Sequence, residues 1–280
     1  MALTSKQLVQ YQRDGFLVLR NFVSRASCGR LRARAGELVE GFEPGTMASI
    51  FSTQQQSRLT DDYFLESGDK IRFFFEQDAF LTDGTLKQSK EKSINKIGHA
   101  LHDLDPVFNE FSRTPQLREL VSNLAIARPL LLQSMYIFKQ PKIGGEVTCH
   151  QDSTFLYTEP QDIAGLWFAL EDATLENGYL WAIPGGHQLG LKSRWVRNGA
   201  GGMKFDVFDS RPFPEDELVP LEVEKGSLIL LNGLLPHKSL ANRSEKSRHA
   251  YTLHVISSES RYPADNWLQR GPDMPSRGFD

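Results

Sequence analysis

Apolar residues recur every three or four positions near the start of the chain and every second position in its latter half. The spacing predicts a helix over residues 4–13, capped by Thr4, and a second one capped by Ser24 whose buried stripe is Cys28, Leu31, Ala35 and Leu38. Residues 43–66 are polar and irregular. "KIRFFFEQ" (70–77) is aromatic and extended, as a strand would be. "NKIGHALHDLDPVFNEF" (95–111) carries a helical pattern through about Leu104, with Pro106 and Pro115 punctuating the stretch beyond it. From Pro129 the runs "LLLQSMYIF", "EVTCHQD", "AGLWFALED", "GYLWAIPG", "GSLILLNG" and "RHAYTLHVIS" read as short strands between turn residues. The expected fold is mainly β, with jelly rolls and cupins among the ways such strands close on themselves. N-terminal helices within about 4–125 would pack on a β core over about 129–257, and residues 1–280 would form a single domain.

Composition narrows the partners more than the fold. The 280 residues are 40% hydrophobic and 24% charged, with a net charge of −3. No basic stripe suits a nucleic acid or an anionic membrane surface. No run of about 18 apolar residues suggests a membrane span, and the first residues lack the order of a signal peptide. Cys28 and Cys149 form neither a CxxC pair nor a disulfide framework. A cytoplasmic protein acting on a small molecule is the expectation.

The candidate chemistry begins in "GGEVTCHQDSTFLYTEP", residues 144–160, where His150 and Asp152 are one residue apart. In extended structure such a pair points the same way and can offer a metal one nitrogen and one oxygen. His237, in "LPHKSL", follows another strand-like run and is the candidate third ligand. Two histidines and one carboxylate on one face of a metal leave positions open for substrate and oxygen. Arg248, at the start of "RHAYTLHV", could clamp a carboxylate with its planar guanidinium.

These residues, in the order His150-Gln151-Asp152, His237, Arg248, stand within "QSMYIFKQP", "HQDSTFLYTEP", "ALEDATLENGYLW", "IPGGH" and "HKSLANRSEKSRHAYTLH". The set resembles the phytanoyl-CoA dioxygenase family of iron and 2-oxoglutarate oxygenases from about residue 5 to residue 270. The resemblance implies a double-stranded β-helix in which His150, Asp152 and His237 bind Fe(II). It also implies that Arg248 and Ser239 hold the distal carboxylate of 2-oxoglutarate, with Lys96, Met135 and Trp167 lining the co-substrate site. Spacing alone would make Lys96 a solvated charge on its helix. The implied reaction uses O2, releases succinate and CO2, and hydroxylates or otherwise oxidises a C–H bond of a small organic substrate. A carboxylate at Asp152 leaves no ligand position for a halide, so halogenation is not expected. Two finer readings are a branched acyl-CoA 2-hydroxylase and a non-catalytic metal or 2-oxoglutarate sensor. A zinc hydrolase could use the same ligands, but no Glu stands at a motif position as general base and Arg248 would need another explanation.

Where the family's pattern has proline, cysteine and serine, this chain has Cys149, Tyr179 and Gly186. Cys149 alternates with His150 and should pack away from the metal; Tyr179, Ala182 and Gly186 are candidates to reshape a substrate pocket. His99 and His102 are three apart on the expected helix, where a hydrogen bond or solvent is favoured over a metal. His187 should hold its loop, and His249 and His254, five apart on a strand, should face opposite ways. Phe73, Phe74, Phe75 and Trp181 read as core before pocket. The stretch "RNGAGGMKFD" (197–206) suggests a mobile flap which, with Trp195, closes over the substrate. Lys192, Arg194 and Arg197 are the nearest cations for a CoA nucleotide.

Overall fold

A computed structural model of the chain describes residues 2–44, 49–51, 61–199 and 201–280. Most of the expected irregular segment 43–66 therefore lies outside the described residues, apart from 43–44, 49–51 and 61–66. Helix α1 (Ser5–Asp14) opens on a capping box between Thr4 and Gln7 and ends on Gly15 at φ +78°. Strand β1 (Phe16–Leu19) leads to α2 (Arg25–Glu40), capped by the Ser24 side chain and buried along Cys28, Leu31, Ala35 and Val39. The expected Leu38 is only partly buried. Among the described residues, four short helices come next in the first half: α3 (Asp62–Leu65), α4 (Leu101–Leu104), α5 (Pro106–Ser112) and α6 (Pro115–Ser122). Proline at the start of α5 and of α6 lacks only an N–H that a first turn leaves unpaired.

The first half is less helical than its spacing predicts. Ile71–Phe75 forms β2, and Ile94–His99 is strand β3, not a helix. Every residue of β3 is buried, so its apolar positions follow no period of two, and Ile94 and Ile97 only imitate the helical spacing that Leu101 and Leu104 obey in α4. Strands β1, β2 and β3 join the main sheet, so the segment before Pro129 extends the β core as well as covering it.

Beyond Pro129 the strands are β4 (Pro129–Ile137), β5 (Val147–His150), β6 (Ala164–Ala169), β7 (Leu180–Ala182), β8 (Ser193–Arg197), β9 (Met203–Val207), β10 (Val219–Leu221), β11 (Leu228–Asn232), β12 (His237–Ser239) and β13 (Ala250–Ser257). They build a seven-stranded sheet in the order β1-β11-β6-β13-β4-β3-β2, a four-stranded sheet β10-β7-β12-β5, and the hairpin β8-β9. Strand pairing within these sheets is antiparallel throughout, and the two sheets face each other as a cupin-like jelly roll.

Alternation along the large sheet separates core from cavity. Tyr136, Phe138, Tyr251, Leu253 and Val255 pack with helical residues Leu31, Phe108 and Phe111. Their neighbours Met135, Ile137, Thr252 and His254 line an internal cavity of about 350 Å³. The stretch 197–206 includes the end of β8 and most of β9, which pair from Ser193↔Val207 to Arg197↔Met203, while residue 200 between them lies outside the described residues. The two arms of the hairpin are regular strands, and Trp195 is buried against Phe64, Phe155 and Trp267.

Candidate metal and carboxylate site

His150 ends β5, and Asp152 opens a 3-10 turn (Asp152–Thr154), so the pair does not share one strand face as alternation predicts. Gln151 turns the chain between them. Its buried amide donates to the carbonyls of Gly190 (2.8 Å) and Leu234 (2.7 Å) and accepts from the Lys192 amide (3.0 Å). His237 starts β12, directly opposite His150 in the small sheet. The donor atoms of His150, Asp152 and His237 all lie within 4.8 Å of one another. Asp152 Oδ1 is 3.6 Å from His150 Nε2 and 3.8 Å from His237 Nε2.

Both histidines are oriented by their own backbone. His150 Nδ1 lies 2.8 Å from the Thr148 carbonyl and His237 Nδ1 3.0 Å from the Leu235 carbonyl. A carbonyl accepts only, so each Nδ1 carries the proton and each Nε2 presents a lone pair. Burial, then the neighbouring His150, pulls His237 down to about 4, which keeps it neutral near pH 7. Burial alone would raise the Asp152 carboxyl, but the facing imidazoles of His254, His237 and His150 outweigh it and hold the group well below the usual carboxylate range. This donor set suits a divalent metal, and it is the one such cluster found among the described residues.

Arg248 lies at the other end of the same cavity and is 2% exposed. Its Nε and Nη1 have no hydrogen-bond partner among the described residues. The guanidinium lies 5.1 Å from the centre of the Trp167 ring. Burial lowers its pKa to about 10, still charged at neutral pH. Buried donors without acceptors cost free energy unless a ligand satisfies them. Ser239, buried on β12, accepts a 2.9 Å hydrogen bond from Lys139 Nζ. Lys139 also donates to the Gly145 carbonyl (2.5 Å) and faces Glu76, whose Oε2 accepts from Asn95 (2.8 Å) and the Gly145 amide (3.0 Å). Sequence reasoning missed Lys139 and Glu76, which are far apart in the chain and look like surface charges.

Lys96 is on β3, 4% exposed, and not the solvated helix charge that spacing predicts. Its ammonium sits 3.5 Å from the Phe51 ring centre, 5.2 Å from Phe64, and 3.9 Å from Met135 Sδ. Burial pulls it down to about 7 from 10.5. A lysine so depressed is neutral in the folded protein above pH 7 but protonated in the unfolded chain up to about 10.5. Stability therefore carries a penalty below the folded value that fades as pH rises towards the unfolded one. Lys96→Met is expected to stabilise the ligand-free protein by roughly 2–4 kcal/mol at pH 6.5 and by much less at pH 10. Urea unfolding at both pH values checks this; equal gains would mean that Lys96 is not desolvated.

Other sequence expectations resolve individually. His99 and His102 sit on different elements and bond separately, to Ser67 Oγ (2.7 Å) and Ser134 Oγ (2.8 Å). His187 donates to the Gln12 carbonyl (3.0 Å) and ties its loop to α1. His249 faces the helices, 2.8 Å from the Tyr136 hydroxyl, while His254 faces the cavity. Phe73, Phe74 and Phe75 are core, and neither they nor Trp181 line the cavity. Tyr179 and Ala182 pack in a second apolar cluster and Gly186 against Pro236, so these three do not shape the cavity wall. Cys149 is half-buried, and burial pushes its thiol to about 12, which leaves little reactive thiolate. The three cations expected near a CoA nucleotide are engaged, and only Lys192 lines the cavity: Lys192 pairs with Asp209 (2.9 Å), Arg194 with Asp265 (2.7 Å), and Arg197 bonds the carbonyls of Leu65 (3.0 Å) and Trp267 (2.6 Å).

Comparison with known proteins agrees with this arrangement. The family model described as phytanoyl-CoA dioxygenase (PhyH) matches residues 11–250. "Phytanoyl-CoA dioxygenase" of Arabidopsis thaliana is 50% identical over 270 residues, 96% of this chain and 94% of that protein. "Phytanoyl-CoA dioxygenase domain-containing protein 1" of Bos taurus is 47% identical over 282 residues, 98% of this chain and 97% of that protein. Among solved structures, the non-heme alpha ketoglutarate dependent carbocyclase SnoK from nogalamycin biosynthesis superposes with a TM-score of 0.67 at 16% identity, covering 98% of this chain and 96% of its own. EctD from S. alaskensis, solved with 2-oxoglutarate and 5-hydroxyectoine, gives a TM-score of 0.62 at 20% identity, covering 96% and 88%. Both share the fold. With a family match across most of its length and relatives near half identity over nearly all of it, the chain belongs to the phytanoyl-CoA dioxygenase family.

Proposed function

We propose that this protein is an Fe(II)- and 2-oxoglutarate-dependent dioxygenase that hydroxylates or otherwise oxidises a C–H bond of a small organic molecule. The observation that carries the reading is one cavity holding both a two-histidine, one-carboxylate cluster and a buried guanidinium with unsatisfied donors. His150, Asp152 and His237 hold the metal through their preset Nε2 and Oδ1 atoms. Arg248 and Ser239 take the distal carboxylate of 2-oxoglutarate, with Lys139 holding Ser239 in place from behind through its hydrogen bond to the hydroxyl. Lys96, Met135 and Trp167 line the co-substrate between these two ends.

Bound iron with 2-oxoglutarate and O2 supplies the oxidising equivalent, one oxygen atom going to succinate as CO2 leaves and the other to the substrate. The chain's own part is orientation and exclusion of water. Phe155, Trp195, Phe205 and Phe213 wall the side of the cavity near His150 and Lys192 with apolar surface. Asp152 is the only carboxylate lining the cavity among the described residues, which leaves a zinc hydrolase without an acidic general base. The engaged state of Lys192, Arg194 and Arg197 supports a substrate without CoA over a branched acyl-CoA.

Iron-dependent conversion of 2-oxoglutarate to succinate tests the reaction class. A metabolite extract, incubated with the Fe(II) enzyme and 2-oxoglutarate, should yield a product heavier by one oxygen atom in mass spectra. Binding of both cofactors with no succinate would favour a sensor, and efficient oxidation of an acyl-CoA alone would overturn the substrate class while keeping the iron chemistry.

A further inference from the structure

We infer that His254 is a positioning residue for the metal site: it holds the second oxygen of Asp152 and so makes that carboxylate a one-oxygen ligand. The inference rests on the iron reading above. Asp152 Oδ1 faces the Nε2 atoms of His150 and His237 at 3.6 and 3.8 Å, whereas Oδ2 lies 3.2 Å from His254 Nε2. The two oxygens are thereby given different work. An N–H on Oδ2 occupies a lone pair that would otherwise let the carboxylate swing or chelate the metal through both atoms. Either movement would take a coordination position that an oxygenase keeps for its co-substrates.

Two features of the sheet frame this contact, and they come from different parts of the chain. His254 pairs with Gln133 on β4, and Val255 with Leu131, so β4 carries an extra residue, Leu132, at this point. The bulge shifts the phase of β4: Leu131 packs in the helix-side core, while Gln133 and Met135 line the cavity. On the other neighbour, β6, the residue opposite His254 is Gly165. A Cβ there would come within 3.1 Å of Asp152 Oδ2 and 3.8 Å of His254 Cδ2. Glycine, otherwise weak inside a strand, leaves the space in which carboxylate and imidazole meet.

The ring has little structural reason to be there. His254 is 5% exposed, and its Nδ1 has no partner among the described residues. A buried polar atom left unsatisfied opposes folding, and phenylalanine would fill the site without that penalty. What the imidazole offers is one donor aimed at Oδ2.

The test is Mn(II) binding by calorimetry, with Co(II) absorption as a reading of ligand geometry, on wild type, His254→Phe, His254→Gln and Gly165→Ala. His254→Phe is expected to fold with an equal or higher thermal midpoint, to bind Mn(II) about 10–100-fold more weakly, and to change the Co(II) spectrum. His254→Gln, whose amide can donate from nearly the same place, should recover most of the affinity. Gly165→Ala should weaken binding with His254 intact, by pushing Oδ2 aside. A folded His254→Phe protein with wild-type affinity and spectrum would overturn the inference alone. So would a glutamine variant as weak as the phenylalanine one, because the ring's shape and not its donor would then matter. If His254→Phe does not fold, an unchanged affinity in Gly165→Ala overturns it. A wild-type protein that binds no metal would remove the iron reading as well.

Discussion

Asp152→Ala is expected to abolish iron-dependent succinate formation and to weaken Mn(II) binding by more than about 100-fold, beyond the usual effect of losing a residue that merely supports a ligand. Asp152 Oδ1 is the one anionic donor against the two imidazoles, so its removal leaves two neutral nitrogens that cannot hold a divalent ion in place. The fold should survive. The Asp152 carbonyl accepts from the amides of Phe155 and Leu156, bonds that alanine keeps, and the vacated volume is that of a carboxylate beside an existing cavity. A circular-dichroism spectrum like that of wild type, together with lost turnover and lost Mn(II) binding, is the expected result. Turnover retained by the folded variant would take Asp152 out of the ligand set. His150→Ala and His237→Ala should behave in the same way.

The three residues proposed to hold the metal are legible in the sequence because they lie in short contiguous blocks, and period-two spacing brings His150 near Asp152 even though the structure ends the strand between them. Arg248 is legible for a related reason, being an isolated charge leading into an apolar strand. His254 is within reach of the same reasoning. Positions 252 and 254 share parity along β13 with Arg248, two residues before the strand begins, and Arg248, Thr252 and His254 all line the cavity, a signal lost when His254 is compared only with His249. Lys96 is not legible. A strand buried on both faces has no alternation, and a desolvated lysine carries no local mark; its environment is made by Phe51, Phe64 and Phe74 from other segments. Lys139 and Glu76 fail for the same reason, since their partnership exists only once β2, β4 and the loop at Gly145 are brought together. The hairpin β8-β9 is hidden by its glycines: "RNGAGG" reads as a loose loop, while the pairing that orders its arms involves Ser193, Arg194 and Trp195, before the glycines begin.

Arg248→Leu is expected to weaken 2-oxoglutarate binding by about 2–5 kcal/mol, the range found when one partner of a buried charge pair is removed. The guanidinium is fully formed before any ligand arrives: buried, lying over Trp167, and with Nε and Nη1 unsatisfied among the described residues. A distal carboxylate would give those atoms two parallel acceptors in a water-poor site, where charge-assisted hydrogen bonds are strong. The same features mean that the ligand-free protein carries the arginine at a cost. Replacing it with leucine should leave thermal stability unchanged or raise it, which separates loss of a binding group from damage to the fold. Calorimetry of 2-oxoglutarate with Mn(II) in place of iron measures the first quantity and a melting curve the second. Metal affinity itself should change little, because Arg248 touches none of the three ligands. If the affinity for 2-oxoglutarate were unchanged in a folded variant, the distal carboxylate would belong to another buried cation, Lys139 beside Ser239 or Lys96 across the cavity, and Lys139→Met and Lys96→Met would decide between them.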